Sequence, residues 1–168
     1  MEDNVDGNSI KTQAFRDAWG NFATGVSLIT TVEMDGSVHG MTANGIASIS
    51  LDPMLVMVCV SRSANSYPII KVGGIYGINI LSVDQVEIAE YFAKPMEKRT
   101  GGLDVGFTFT DGGVPLLQGA LSVMACKVVK EHVAGDHSIF IGLVESIDIK
   151  EGDPLLFFRG NWAFLESN

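Results

Sequence analysis

The sequence predicts a mainly β protein, an antiparallel β-barrel with a few peripheral helices, on three observations. Runs of β-branched and apolar residues with strand character outnumber helical stretches. Most successive runs are joined by short turns, which suit antiparallel neighbours and leave no room for crossover helices. Met54–Val60 is apolar on both faces, which places it inside a sheet rather than at an edge. Together these favour a barrel over a doubly wound α/β sheet.

Residues 1–11 read as a flexible lead-in and 12–168 as one domain. Thr12 can cap a helix in which Phe15, Ala18, Trp19, Phe22 and Ala23 share one face, with Gly25 as its stop. The Phe15/Trp19/Phe22 stripe is expected to pack against the barrel or across a dimer contact. Val26–Val32 is a β-branched strand, followed by a hairpin turn at Met34-Asp35-Gly36-Ser37. Strands are expected at Val38–Met41, Ile46–Ser50 and Met54–Val60. Ser63 to Val72 is a polar loop running into a short helix stopped by Gly73-Gly74. After a strand at Ile75–Leu81, Ser82 and Gln85 form a capping box for a helix ending near Ala93, with Val83, Val86, Ala89 and Phe92 as its buried stripe. Lys94 to Gly113 is Gly-rich, charged and aperiodic, hence a surface loop. Two long strands, Leu121–His132 and Ser138–Lys150, meet at the Ala134-Gly135-Asp136 turn, and Leu155–Arg159 with Trp162–Leu165 close the chain.

The 168 residues are nearly half apolar (46%), enough for a substantial core, and carry a net charge of −9. Such an acidic chain is unsuited to nucleic acid or anionic membrane surfaces. A bound phosphate would need a local cluster of donors, which makes the few basic residues informative. Cys59 and Cys126 lie far apart in apolar runs with no metal-ligand spacing, as buried free thiols of a reducing compartment do. The N-terminus is acidic and polar, unlike a signal peptide, and no apolar run approaches the ~20 residues of a membrane span. A cytoplasmic protein is expected.

The most informative stretch runs from His39 through Gly40-Met41-Thr42-Ala43-Asn44-Gly45-Ile46-Ala47-Ser48-Ile49-Ser50 to Leu51-Asp52-Pro53. It carries no charge until Asp52, and its small hydroxyl, amide and glycine residues can lie against a flat polar ligand. Phe22-Ala23-Thr24-Gly25-Val26 precedes it, Asn79-Ile80-Leu81 and Gly135-Asp136-His137 follow, and Pro154-Leu155-Leu156-Phe157-Phe158-Arg159-Gly160 ends the series. In this order and spacing the fragments resemble the short-chain flavin reductase family, the reductase components of two-component flavin monooxygenases. The resemblance covers about Phe15 to Leu165. It implies an FMN-binding split β-barrel with Greek-key-like strand order, usually a homodimer. It also implies binding of FMN or FAD, hydride donation by NADH or NADPH, and a partner oxygenase that receives reduced flavin.

Carried over residue by residue, the flavin cradle falls on Thr42, Ala43, Asn44, Gly45, Ile46, Ala47, Ser48 and Ser50. A second flavin segment falls on Ser61, Arg62, Ser63, Asn65 and Ser66, and a phosphate contact on Arg99. His137 would adjoin the nicotinamide, as an orienting group rather than an essential base, and Trp162 matches an aromatic position near the site. Where the family more often has Ser and Phe, this chain has Gly45 and Thr100, differences that bear on flavin affinity. The plainer readings are a tight barrel corner for Thr42–Ser50, a helix cap for Ser61–Ser66, a solvated charge for Arg99 and a strand-end residue for His137. His39 and His132 have no supporting motif and read as surface or packing residues. The functional alternative is a flavin-binding electron carrier or redox sensor without nicotinamide chemistry; a barrel that has lost flavin and serves as a scaffold is a third. A Cys-His hydrolase is disfavoured, because Cys59 lies in an all-apolar strand.

Overall fold

A computed structural model of the chain describes residues 12–166; the lead-in expected at 1–11 and the end of the domain at 167–168 lie outside the described residues. Among those described, α1 (Thr12–Gly20) is followed by β1 (Thr24–Gly25), β2 (Ser27–Val32), β3 (Val38–Ala43), β4 (Ile46–Leu51) and β5 (Met54–Ser61). Then come α2 (Ser66–Gly73), β6 (Ile75–Ile80), α3 (Val86–Ala93), β7 (Phe107–Phe109) and β8 (Pro115–Leu117). The long pair β9 (Ser122–Ala134) and β10 (His137–Ile149) precedes β11 (Leu156–Phe158) and β12 (Asn161–Ala163).

Seven strands form one antiparallel sheet in the order β3-β2-β6-β9-β10-β5-β4. Laid flat, its edge strands would stand about 29 Å apart at the usual inter-strand spacing. Yet the edges β3 and β4 are separated in the chain only by Asn44 and Gly45, a connection that spans at most about 11 Å. The sheet therefore curls until its edges meet, giving a barrel split along the β3/β4 seam. Register shifts at Ile141/Gly142 and Val144/Ser146 in β10 and at Ser48/Ser50 in β4 assist the curl, because a bulge bends its strand. The expected antiparallel split barrel is the fold observed.

Both faces of β2 are buried, so its alternate residues feed two cores. Ile29 joins Val58, Val60, Tyr76, Ile78 and Phe140 in one. Leu28 joins Leu81, Ala89, Phe92, Val123 and Leu155 in the other, beneath α3. The predicted capping box is present: Ser82 and Gln85 satisfy each other's backbone ahead of α3. Ala89 and Phe92 are buried as predicted, while Val83 and Val86 are half-buried. Cys126 is buried and Cys59 half-buried.

Three expectations are corrected. First, α1 ends at Gly20 rather than near Gly25, because the Arg159 N–H donates to the Gly20 carbonyl and the Arg159 guanidinium grips Asn21. Its aromatic stripe does not pack on the barrel: Phe15, Trp19 and Phe22 are each more than 60% exposed. Second, the stretch from Lys94 to Gly113 is not wholly irregular, since β7 within it pairs with β8. Three-residue strands flanked by glycines are too short to show a period. Third, β1 adds to the closing pair as a sheet in the order β1-β11-β12.

Asn79, fully buried on β6, ties three strands together. Its amide donates to the Leu28 carbonyl (2.8 Å) and the Thr30 hydroxyl (3.1 Å), and its oxygen accepts the Leu117 N–H at 2.7 Å. Asn79→Ala leaves the buried Leu117 N–H without its partner and removes two further buried hydrogen bonds, so it should cost roughly 2–4 kcal/mol in urea unfolding. A loss under about 1 kcal/mol would show that the amide is not the tie described.

Candidate active site

On the β3 side of the seam lies a cavity of about 390 Å³, bounded by β3, the start of α2 and the chain after α3. Its lining includes Thr42, Ser63, Asn65, Ser66, Arg99 and the imidazole of His39. The size falls within the roughly 300–1,000 Å³ of small-molecule sites. A second, more apolar cavity of about 200 Å³ lies alongside, lined by Val26, Ala43, Asn44, Phe157 and Trp162, and shares Thr42 and Ala93 with the first.

Local sequence explains why α2 begins with its donors free. Pro68, in the first turn, needs no N–H partner. Asn65, in the N-cap position, has helical backbone angles, and its side chain makes no cap; its amide reaches the Met96 sulfur at 3.7 Å. Among the described residues the backbone N–H groups of Asn65 and Ser66 have no hydrogen-bond partner. Free N–H groups at a helix start attract anions. Lys94 and Arg99 on the same lining outnumber Glu97, a local positive balance in a chain of net charge −9.

Arg99 builds the facing wall. Its Nε donates to the Lys94 carbonyl (3.0 Å) and its Nη2 to the carbonyls of Gly40 (3.0 Å) and Phe92 (3.2 Å). The guanidinium also lies over the Phe92 ring, 5.0 Å from its centroid. Gly40 is required beneath this stack, because a Cβ there would come within 2.6 Å of the Phe92 ring. Only the Nη1 hydrogens of Arg99 remain to meet a ligand.

His39 is buried at the cavity wall, not on the surface. Its Nδ1 lies 2.9 Å from Glu33 Oε1 and its Nε2 2.9 Å from Ser66 Oγ. Burial holds its pKa below the ordinary imidazole value, Glu33 opposing and Arg99 adding to the effect. The sequence carried a signal: His39 and Met41 alternate on β3, and both line the cavity.

Other expected site residues fall as follows. The Thr42 hydroxyl donates to the Ala89 carbonyl of α3 at 2.7 Å, and Asn44 to the Thr24 hydroxyl at 3.3 Å. The Gly45 carbonyl accepts the Cys59 N–H at 2.8 Å. Trp162 donates to Glu90 at 3.0 Å and packs edge-on against Phe157. His137 opens β10 opposite Ser61 on β5, and the Arg62 N–H donates to the Asp136 carbonyl at 2.9 Å. This sets His137 beside Ser61 and Ser63, whose hydroxyls lie 2.9 Å apart. His137 Nδ1 is 2.8 Å from Asp136 Oδ1, and that bond holds the Asp136 carboxyl below its usual range. Neither cavity lining includes Gly45, Ser61, Arg62 or His137, nor Ile46, Ala47, Ser48 and Ser50, which run out along the edge strand β4.

Residues 19–166 match the family model described as flavin reductase like domain. An NADH-dependent flavin reductase of Rhodococcus sp is 44% identical over 153 residues, covering 90% of this chain and 85% of the relative. A reductase subunit of a flavin-dependent monooxygenase from Rhodococcus jostii is 34% identical, covering 96% and 82%. Among solved structures, flavin reductase PheA2 in its native state superposes with a TM-score of 0.87 at 44% identity, covering 94% of this chain and all of the other.

Arg99→Lys tests the wall. A lysine has no planar fork to meet three carbonyls, so amide exchange across 94–106 should accelerate about tenfold or more while the thermal midpoint moves little. Unchanged exchange, read by mass spectrometry, would show that other contacts hold this segment.

Proposed function

Because the chain belongs to the flavin reductase-like domain family, we infer that it is an NAD(P)H-dependent flavin reductase. It moves a hydride from reduced nicotinamide to flavin and supplies the reduced flavin to a partner oxygenase. One feature of the molecule carries this reading best: free helix-start N–H groups and a local positive balance stand beside an aromatic-lined slot, at the seam of an otherwise acidic barrel. That donor set suits a molecule with a phosphate at one end and a flat ring at the other.

When bound, FMN or FAD supplies the acceptor for the hydride. The protein's task is positioning, since a hydride passes directly between stacked rings and needs no general acid at carbon. In this assignment Asn65 and Ser66, with Ser63 and the free Nη1 edge of Arg99, hold the phosphate. Thr42, Ala43, Asn44 and Gly45 border the ring beside Trp162, and Ser61 and Arg62 lead from the cradle to His137. His137 is exposed at the hairpin end, where it can orient an incoming nicotinamide without contributing to flavin affinity.

We assign the chain a homodimeric state. Leu51 is 90% exposed on β4, and Ile49 and Met54 are exposed with it. Ile147 and Ile149 are also exposed, further along β10. Apolar residues on an unpaired edge strand invite a second copy. Ile46, Ala47, Ser48 and Ser50 share that edge, so their part in the cradle is played next to the partner subunit. Among the described residues no helix is long and apolar enough to cross a membrane. The free thiols Cys59 and Cys126, together with the need for reduced nicotinamide, support a cytoplasmic location.

Anaerobic mixing of the flavin-loaded protein with NADH should bleach the yellow flavin band promptly. His137→Ala should slow that bleaching by roughly tenfold or more, with flavin affinity held within about twofold. Loss of flavin by a folded variant would place His137 in the cradle instead; a wild-type protein that ignores NADH would sink the reductase reading. For the dimer, sedimentation equilibrium should give twice the chain mass of 18.0 kDa, and Leu51→Glu should dissociate it at micromolar concentration. A monomeric wild type would remove that assignment.

A further inference from the structure

Of the three histidines, only His39 is buried, and both its ring nitrogens are engaged. It stands between the Glu33 carboxylate, on the turn from β2 to β3, and the hydroxyl of Ser66, the first residue of α2. Ser66 is only 3% exposed, and what it faces is the cavity.

The proton count along this chain decides what Ser66 can offer. Glu33 accepts, so Nδ1 carries a hydrogen. If the imidazole is neutral, Nε2 has a lone pair and takes the single Ser66 hydrogen, leaving only oxygen lone pairs toward the cavity. That polarity repels a phosphate. If the ring carries a second proton, Nε2 donates to Ser66 Oγ instead, and the hydroxyl hydrogen is free to point at an anion.

We propose that His39 is a positioning residue that couples flavin binding to proton uptake. A flavin phosphate seated at Ser66 draws a proton from solvent onto His39 Nε2, which turns the Ser66 hydroxyl, on its cavity side, from acceptor to donor. This rests on the flavin reductase reading. The proton returns to solvent when the flavin leaves.

The charged surroundings set the balance. Glu33 favours the cationic ring, Arg99 opposes it, and Lys94 and Glu97 line the same cavity. From β2, the residue opposite is the uncharged Thr31. On α2, Lys71 is engaged by Glu131 and Tyr67. Without ligand, burial keeps the imidazole neutral near pH 7. A phosphate reverses that balance, so affinity falls as pH rises above neutrality. Binding of riboflavin, which lacks the phosphate, has no such dependence.

Isothermal titration calorimetry at pH 7.5, in Tris and in HEPES, measures the proton directly. At this pH the FMN phosphate, with a second pKa of about 6, is largely dianionic, and FAD has no phosphate proton left to lose, so any uptake belongs to the protein. Up to about one proton should be taken up per FMN or FAD bound, and none per riboflavin. His39→Gln should abolish the uptake and Glu33→Gln reduce it. Riboflavin affinity should stay within about twofold in both variants, a sign that the fold is intact. Binding of FMN and FAD without buffer-dependent heat would overturn the inference, as would equal uptake with riboflavin or uptake surviving in His39→Gln. If none of the three flavins binds, the flavin reading fails first and the coupling with it.

Discussion

Asn44 and Gly45 join the opposite edges of a seven-stranded sheet, and most of the molecule's architecture follows from that short span. The connection forces closure, brings the end of β3 against the start of β4, and leaves a seam where ladder pairing is interrupted. The seam is where the chain can open without giving up sheet hydrogen bonds. Gly45 keeps the corner tight: a Cβ there would stand 3.3 Å from that of Cys59, closer than most packed neighbours tolerate. At Gly45 the lack of a side chain is thus steric, since a bulky group would not fit the corner.

The rest of the site is brought to this seam by elements with other primary duties. The start of α2 follows directly from β5, so its free N–H groups are delivered by the same strand that pairs with β4 and β10. The guanidinium of Arg99 holds the opposite wall through backbone carbonyls. It gives the cavity positive charge while spending most of its donors on structure. On the proposed reading, a phosphate seated there would meet backbone N–H groups, hydroxyls and one edge of a cation that three carbonyls hold in place before any ligand arrives.

Much of this was legible in the sequence, for physical reasons. Strand runs, the Ser82/Gln85 box and the turns at Gly36 and Gly135 are local signals, and the structure keeps them. What the sequence could not reveal depended on long-range pairing. The β7/β8 pair is too short to have a period, and β1 is a strand only because β11 lies beside it. Arg99 read as a phosphate contact through the family resemblance, whereas its three backbone partners come from Gly40, Phe92 and Lys94. His39 read as a packing or surface residue because nothing adjacent to it is reactive. Its partners, six residues before and 27 after, meet it only once the hairpin and α2 are folded.

The two cysteines carry a last consequence. Reduced flavin that meets oxygen away from an oxygenase yields hydrogen peroxide, so a protein of this class works in the presence of an oxidant for sulfur. Only thiolates react with it at an appreciable rate. Burial pushes the Cys126 thiol up to about 12 and raises that of Cys59, leaving both almost wholly protonated at neutral pH. The apolar walls that give the barrel its core therefore also protect its sulfur from the by-product of its own chemistry.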